Sequence, residues 1–256
     1  MTDTFVTPQK RTIAYHLTDG TGPMVVFLGG FKSNMNGTKA DFLENWAKKV
    51  GRAFLRFDYS GHGESSGEFE DGCIGDWFDD AIAMLGLIAG PVVLVGSSMG
   101  GWISLQIARA QPRRVAGLVT IAAAPDFTED GFWAGFDTAQ KEELAAEGRV
   151  AVPSEYGDSY IITKKLIEEG RERFVLRKPL SLPFSVRFLQ GTADTSVPVS
   201  TALKLFKHAE GADMRLTLVD GVDHSFSDAA SLELIVASIS DVLAARETGT
   251  RLAQDS

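Results

Sequence analysis

The chemistry of this chain gathers at one pentapeptide, Gly96-Ser97-Ser98-Met99-Gly100. The apolar run Pro91–Val95 precedes it, and Gly101–Ala110, with helical character, follows. Strand, G-x-S-x-G, helix is the pattern of a nucleophile elbow, in which a serine hydroxyl is thrust above a sheet edge from a very tight turn. The turn leaves no room for side chains two positions to either side, so Gly96 and Gly100 relieve it. The same geometry puts the Met99 N–H at the start of a helix, where it can face a developing oxyanion. The competing reading is a glycine-rich turn around a buried serine.

A serine nucleophile needs a base and an acid that orients the base. Of the four histidines, His16 falls in an early strand pattern, His62 in an early glycine turn and His208 in a helix. Only His224 follows the last predicted strand, in a loop near the C-terminus, and it is expected to be the base; His62 precedes the nucleophile and is set aside. Asp194, just past the strand Phe184–Gln190, is expected to be the acid. Asp220 and Asp223 are nearer in sequence to His224, but that does not make a good bond to Nδ1. Asp223 is expected to tie its own loop through a backbone bond. The order Ser98, Asp194, His224 is that of an α/β-hydrolase fold. A second oxyanion donor is expected at the Phe31 N–H, because Gly29 and Gly30 let the chain turn sharply after the buried strand Met24–Leu28; a simple strand-to-helix turn is the alternative. Cys73 has neither a base nor a reason for a lowered pKa, and reads as structural.

The elements that would position these residues follow from hydrophobic period. Met24–Leu28, Ala53–Phe57, Pro91–Val95, Val115–Ala124, Phe184–Gln190 and Met214–Val219 read as strands, Met24–Leu28 continuously apolar, as expected where both faces of a parallel sheet are covered. Thr12–Leu17 reads as an outer strand. Helices are expected at Thr38–Val50, Ile74–Ala89, Gly101–Ala110, Val199–Glu210 and Ala229–Ala245, with a polar, frayed tail over 246–256. The predicted fold is α/β, a mostly parallel central sheet with helices on both faces. The core would comprise 1–125 and 184–256, with 126–183 a small helical lid. Within it, helices are expected at Lys141–Glu147 and Ser159–Glu169, and Phe127, Phe132, Trp133 and Phe136 are candidates for an acyl pocket or for fastening the lid.

Composition excludes several classes. The 34 acidic and 25 basic residues, a net charge of −9, disfavour nucleic acid and anionic membrane surfaces as partners. A single cysteine rules out an internal disulfide. No Cys/His cluster suggests a metal site, and the chemistry asks for no organic cofactor. No run reaches the ~18 apolar residues of a spanning helix, so stable membrane insertion is not expected. The short polar N-terminus has no signal-peptide pattern, and a cytoplasmic address is the default expectation. Composition leaves the oligomeric state open.

Three further segments carry a resemblance: Gly29–Ala40 with its S-N-M-N-G-T-K-A stretch, Arg56–Gly61, and Val95–Trp102, joined by Val152-Pro153-Ser154-Glu155-Tyr156. Together they resemble the α/β-hydrolase subfamily of the mitochondrial palmitoyl-protein thioesterase and acyl-glucuronide esterase and its bacterial relatives, over roughly residues 22–245. The resemblance implies nucleophile, acid and histidine at Ser98, Asp194 and His224. It also implies hydrolysis of thioesters or esters with a medium-to-long or bulky acyl group, on a small molecule or an acylated protein. A small-ester carboxylesterase, a peptidase of the same fold and a silent scaffold are the alternatives.

Overall fold

The computed structural model describes residues 2–154 and 157–254. Its strands and helices run β1 (Asp3–Val6), β2 (Thr12–Thr18), β3 (Thr21–Leu28), α1 (Thr38–Val50), β4 (Arg52–Phe57), α2 (Ile74–Leu85), β5 (Val92–Ser97), α3 (Met99–Ala110) and β6 (Val115–Ile121). After them come α4 (Thr138–Glu147), β7 (Arg149–Ser154), β8 (Gly157–Thr163), α5 (Lys164–Glu172), β9 (Leu180–Ser181), β10 (Val186–Gly191), α6 (Val199–His208), β11 (Ala209–Glu210), β12 (Met214–Val219) and α7 (Ala229–Gln254). Among the described residues the central sheet has eight strands in the order β1-β2-β4-β3-β5-β6-β10-β12. The β1–β2 and β2–β4 pairings are antiparallel and the others parallel.

The apolar strand runs make sense in this sheet because successive side chains point to opposite faces. Val26 and Leu28 of β3 and Val92 and Leu94 of β5 join one core, with Trp77 and Met84 of α2, Trp102 and Ile103 of α3 and Leu205 of α6. Val25 and Phe27, Val93 and Val95 join the other, with Leu43 and Ala47 of α1 and Ile235, Ile239 and Val242 of α7. Covering both faces of β5 leaves its C-terminal end as the free edge, and ligands of such sheets bind beyond that edge.

Several boundaries differ from the sequence reading. The helix begins at Met99, directly after Ser98, and α2 stops at Leu85, just before Gly86. The fourth core strand stops at Ile121 because Ala122 turns at φ 47°. The segment between β6 and β10 holds a turn of π-helix at Thr128–Trp133 and an antiparallel pair, β7 with β8. The helix expected over Ser159–Glu169 is therefore corrected: residues up to Thr163 are strand, and the helix runs Lys164–Glu172. Ile161, Ile162 and Thr163 are β-branched and favour extended backbone, and the Thr163 side chain accepts the Leu166 N–H as an N-cap. Buried Asp126 closes this segment on itself, accepting the backbone N–H groups of Val175 and Leu176 and an Arg177 guanidinium bond. At the C-terminus the last helix continues to Gln254, so the expected frayed tail is helical through that residue; Asp255 and Ser256 lie outside the described residues. Glu155 and Tyr156, quoted above for the resemblance, also lie outside them.

Candidate active site

Ser98 sits between β5 and α3 with φ 53° and ψ −117°, a conformation that L-residues rarely adopt. Neighbouring backbone holds it there. Its N–H donates to the Ile121 carbonyl (2.9 Å), and its own carbonyl accepts from Gly101 and Ala124 (2.9 and 3.1 Å). Glycine is required on both sides. A Cβ on Gly100 would stand 2.0 Å from the Leu28 carbonyl oxygen, and one on Gly96 would stand 2.4 Å from the Gly100 oxygen. The elbow can therefore press against the end of β3.

Two further side chains converge on Ser98 from loops at the same edge of the sheet. His224 follows β12, and its Nε2 accepts the Ser98 hydroxyl at 3.0 Å. Its Nδ1–H donates to Asp194 Oδ2 at 2.8 Å. Asp194 follows β10 and is buried. Its Oδ1 accepts the N–H groups of Ser196 (3.0 Å) and Val197 (2.7 Å), while Gln190 Nε2 donates to Oδ2 at 2.9 Å. With each of these partners a donor, the carboxylate accepts, which sets the proton of His224 on Nδ1 and leaves Nε2 free to receive one. Asp223 binds locally, accepting from the Ser225 N–H and hydroxyl and the Phe226 N–H. Asp220 accepts from the Thr192 hydroxyl at 3.0 Å.

Gly30 lies directly beside the serine, a Cβ there standing 3.4 Å from Ser98 Cβ, and Gly29 precedes it at the end of β3. Gly30 opens a turn closed by the Ser33 N–H to the Gly30 carbonyl (3.2 Å), with Phe31 and Lys32 at its centre. Several residues of the S-N-M-N-G-T-K-A stretch hold this loop. The Met35 N–H donates to Asp58 Oδ1 at 2.6 Å. Lys39 Nζ donates to the Ser225 carbonyl, next to His224. Burial pulls the Lys39 ammonium down to about 8, opposed by the nearby Asp223 carboxylate.

The Phe31 ring is the hub of an aromatic cluster. Phe69 and Trp77 meet it from the chain between β4 and β5 (centroids 4.8 and 5.9 Å), and Phe127, Phe132 and Tyr160 meet it from the segment between β6 and β10 (5.5, 5.8 and 5.5 Å). The four aromatics singled out in sequence thus divide. Phe127 and Phe132 face Phe31 of the Gly30–Ser33 turn. Trp133 turns its ring to Lys141 and Arg171, and Phe136 is buried against Phe132 and Trp133. Sequence reasoning passed over Phe69, Trp77 and Tyr160, which lie far along the chain from Phe31 and only meet through the fold. It also passed over Gln190, whose position four residues before Asp194 was the available signal.

Both ring nitrogens of His62 are engaged away from Ser98. Its Nδ1–H donates to the Ser60 carbonyl (3.1 Å) and its Nε2 accepts the Lys32 N–H (3.2 Å). Burial pushes its pKa down to about 4, against the Ser60 bond. An unfolded histidine titrates near ~6.5, so below that value the unfolded chain takes up a proton that the folded chain refuses. The stability is present above ~6.5 and is lost as pH falls toward about 4. Between pH 7 and 4.5, His62 is expected to remove about 2–3 kcal/mol. Urea melts at both values should show that loss reduced in His62→Gln; equal losses in the two proteins would refute it. Cys73 is buried, with its thiol raised to about 12 by burial first and then by its bond to Asp76.

This arrangement defines a class. The chain belongs to the α/β-hydrolase fold family, whose model matches residues 23–182, and it is an enzyme of the ester- and thioester-hydrolase type. Within that family it is related to the mitochondrial palmitoyl-protein thioesterase ABHD10. The rat protein is 34% identical over 92% of this chain and 80% of its own length. The solved structure of mouse ABHD10 superposes with a TM-score of 0.87 at 31% identity, covering 95% of this chain and 98% of that one. A structure from Agrobacterium vitis S4 superposes at 0.91 with 36% identity, over 95% and 98% of the two chains. These relatives overturn one expectation. The cytoplasmic address inferred from the N-terminus is corrected, because the rat, bovine and human ABHD10 proteins are named as mitochondrial. A short polar start is only the lack of one kind of export signal, and weighs little beside relatives that span nearly the whole chain.

Proposed function

We propose that this protein hydrolyses acyl thioesters or carboxylic esters through a Ser98-His224-Asp194 triad and an acyl-enzyme. The observation that carries the reading is the continuous chain from Ser98 Oγ through His224 to Asp194, at 3.0 and 2.8 Å, on a serine held at positive φ. His224 Nε2 takes the hydroxyl proton as Oγ attacks the acyl carbonyl, and Asp194 stabilises the imidazolium that results. The N–H groups of Phe31 and Met99 receive the oxyanion. His224 then gives its proton to the leaving thiol or alcohol, the acyl group stays on Ser98, and water, activated by the same histidine, releases the acid.

Residues 126–183 act as a lid in this reading, and Phe127 and Phe132, the two aromatics turned toward the Phe31 loop, contact the acyl group. Trp133 and Phe136 secure the lid. The relatives' name, palmitoyl-protein thioesterase, supports a thioester with a medium-to-long acyl chain. A paired series of acyl thioesters and oxygen esters from two to sixteen carbons tests this by kcat/KM. Thioesters are expected to lead, with the optimum at eight carbons or longer. An optimum at short oxygen esters would leave a small-ester carboxylesterase instead.

A further inference from the structure

The G-H-G turn at 61–63 has no part in the chemistry above, yet its histidine reaches the oxyanion loop. The four-residue turn Gly30–Ser33 has Lys32 in its third position at φ 57°. A positive φ there is the mark of a type II turn, in which the central peptide is flipped relative to type I and glycine is normally required. Lys32 has a Cβ and pays for that conformation. The N–H of the flipped peptide is the Lys32 N–H, and its acceptor is His62 Nε2 at 3.2 Å.

His62 itself is fixed from three sides. Its Nδ1–H is committed to the Ser60 carbonyl, so Nε2 carries a lone pair. The Ser60 carbonyl also accepts Trp77 Nε1 at 3.0 Å, and the Ser60 N–H and hydroxyl donate to Asp80 Oδ2 at 2.9 and 2.6 Å. Asp80 is paired with Arg11 at 2.6 Å. The imidazole packs edge-on against Phe69 and Trp77, with centroids 5.0 and 5.1 Å away. These two rings also pack edge-on against Phe31.

We propose that His62 is a positioning residue for the oxyanion hole: as a hydrogen-bond acceptor it holds the Phe31–Lys32 peptide flipped, and so keeps the Phe31 N–H aimed at the oxyanion. Without the acceptor, the turn relaxes toward type I, which removes the strain at Lys32 and swings ψ of Phe31 by roughly 150°. That rotation turns the Phe31–Lys32 peptide itself; the Phe31 N–H, one peptide upstream, loses its aim because Gly30, which has no side chain to fix it, takes up the remaining change in the turn. The cost falls on the transition state, where the oxyanion forms, and not on substrate binding.

This inference rests on the triad reading, and the experiment separates the two. Labelling of wild-type protein by a fluorophosphonate, lost in Ser98→Ala, checks the nucleophile alone. His62→Phe keeps the ring packing and deletes the acceptor, whereas His62→Gln replaces Nε2 with an amide oxygen. With a soluble aryl ester, His62→Phe is expected to lower kcat on the order of 10²-fold, with KM within about twofold. Its inhibition constant for an alkylboronic acid, which forms a tetrahedral adduct on serine, should rise by the same factor. His62→Gln should recover most of both losses. Wild-type kcat in a folded His62→Phe protein, a loss confined to KM, or a Gln variant as poor as Phe would each overturn the proposal. Should His62→Phe fail to fold, NMR of ¹⁵N-labelled wild-type protein decides directly. A scalar coupling between the Lys32 amide nitrogen and His62 Nε2 is expected, and its absence refutes the proposed bond.

Discussion

Replacing Ser98 with alanine is expected to lower kcat on the order of 10⁶-fold, about 8 kcal/mol of transition-state stabilisation, and to leave the fold intact. In the proposed mechanism the whole reaction passes through one oxygen, so its loss is not shared among other groups. The folding side of the result follows from the turn. Ser98 holds φ 53° through bonds from its backbone N–H and to its carbonyl, none of which involve the hydroxyl. The hydroxyl donates to His224 Nε2, and that loop is also tied by Asp194, by Lys39 to the Ser225 carbonyl, and by Asp223 internally. Alanine suffers the same backbone strain as serine, so thermal melting should move by no more than a few degrees. Turnover of a thioester by Ser98→Ala above a hundredth of the wild-type rate would end the covalent mechanism.

Replacing Asp194 with asparagine is expected to cost about 10⁴-fold in kcat, or about 5 kcal/mol. Asparagine is isosteric, but the site offers its amide nitrogen nowhere to go. On the Oδ1 side it would face the Ser196 and Val197 N–H groups, and on the Oδ2 side the Gln190 amide and the His224 Nδ1–H. All four are donors. The rotamer that spares the two backbone groups turns the amide NH₂ toward His224 and forces its proton onto Nε2, where it points at the serine and can no longer accept. Gln190 can rotate its own amide; the backbone cannot. Asp223→Asn is the control and should cost less than tenfold, since Asp223 serves its own loop. A rate for Asp194→Asn within tenfold of wild type, or an equal loss from Asp223→Asn, would move the acid role away from Asp194. Both variants should be read as kcat/KM beside their melting temperatures.

What could be read from the chain and what could not separate along physical lines. The elbow was legible because an apolar run changes to helical spacing at a single serine, and because two glycines are needed within five residues. Helix α1 was legible from end to end, since Gly51 terminates it at φ 67°. The segment after β6 was not. A run such as Tyr160-Ile161-Ile162-Thr163 suits a helix face as well as a hairpin, and only the pairing of Val150 with Ile162 decides it. The site shows the same contrast. Ser98, Asp194 and His224 are polar residues placed just past strand ends, and chain order alone suggests how they meet. The partnership of His62 with Lys32 joins a ring nitrogen to a backbone N–H 30 residues away, and a backbone N–H leaves no trace in residue type. Phe31 is similar, its five ring neighbours coming from separate parts of the chain.

The sheet order places the site at the end of a timetable as well as at an edge. β5 lies inside the sheet, flanked by β3 and β6, whereas the His224 loop follows β12, the outermost strand on the far side. β12 is also the last strand of the sheet in the chain, and it can pair only with β10, which must itself have found β6. Parallel pairings of this kind close long loops and form slowly. During synthesis, at ~5–20 residues per second, Ser98 is made well before His224, its base in the proposed mechanism. For that interval the serine is an ordinary alcohol. Under the proposed triad, hydrolytic power therefore arrives in one step, when the final strand docks, and its appearance on a growing or refolding chain reports completion of the sheet.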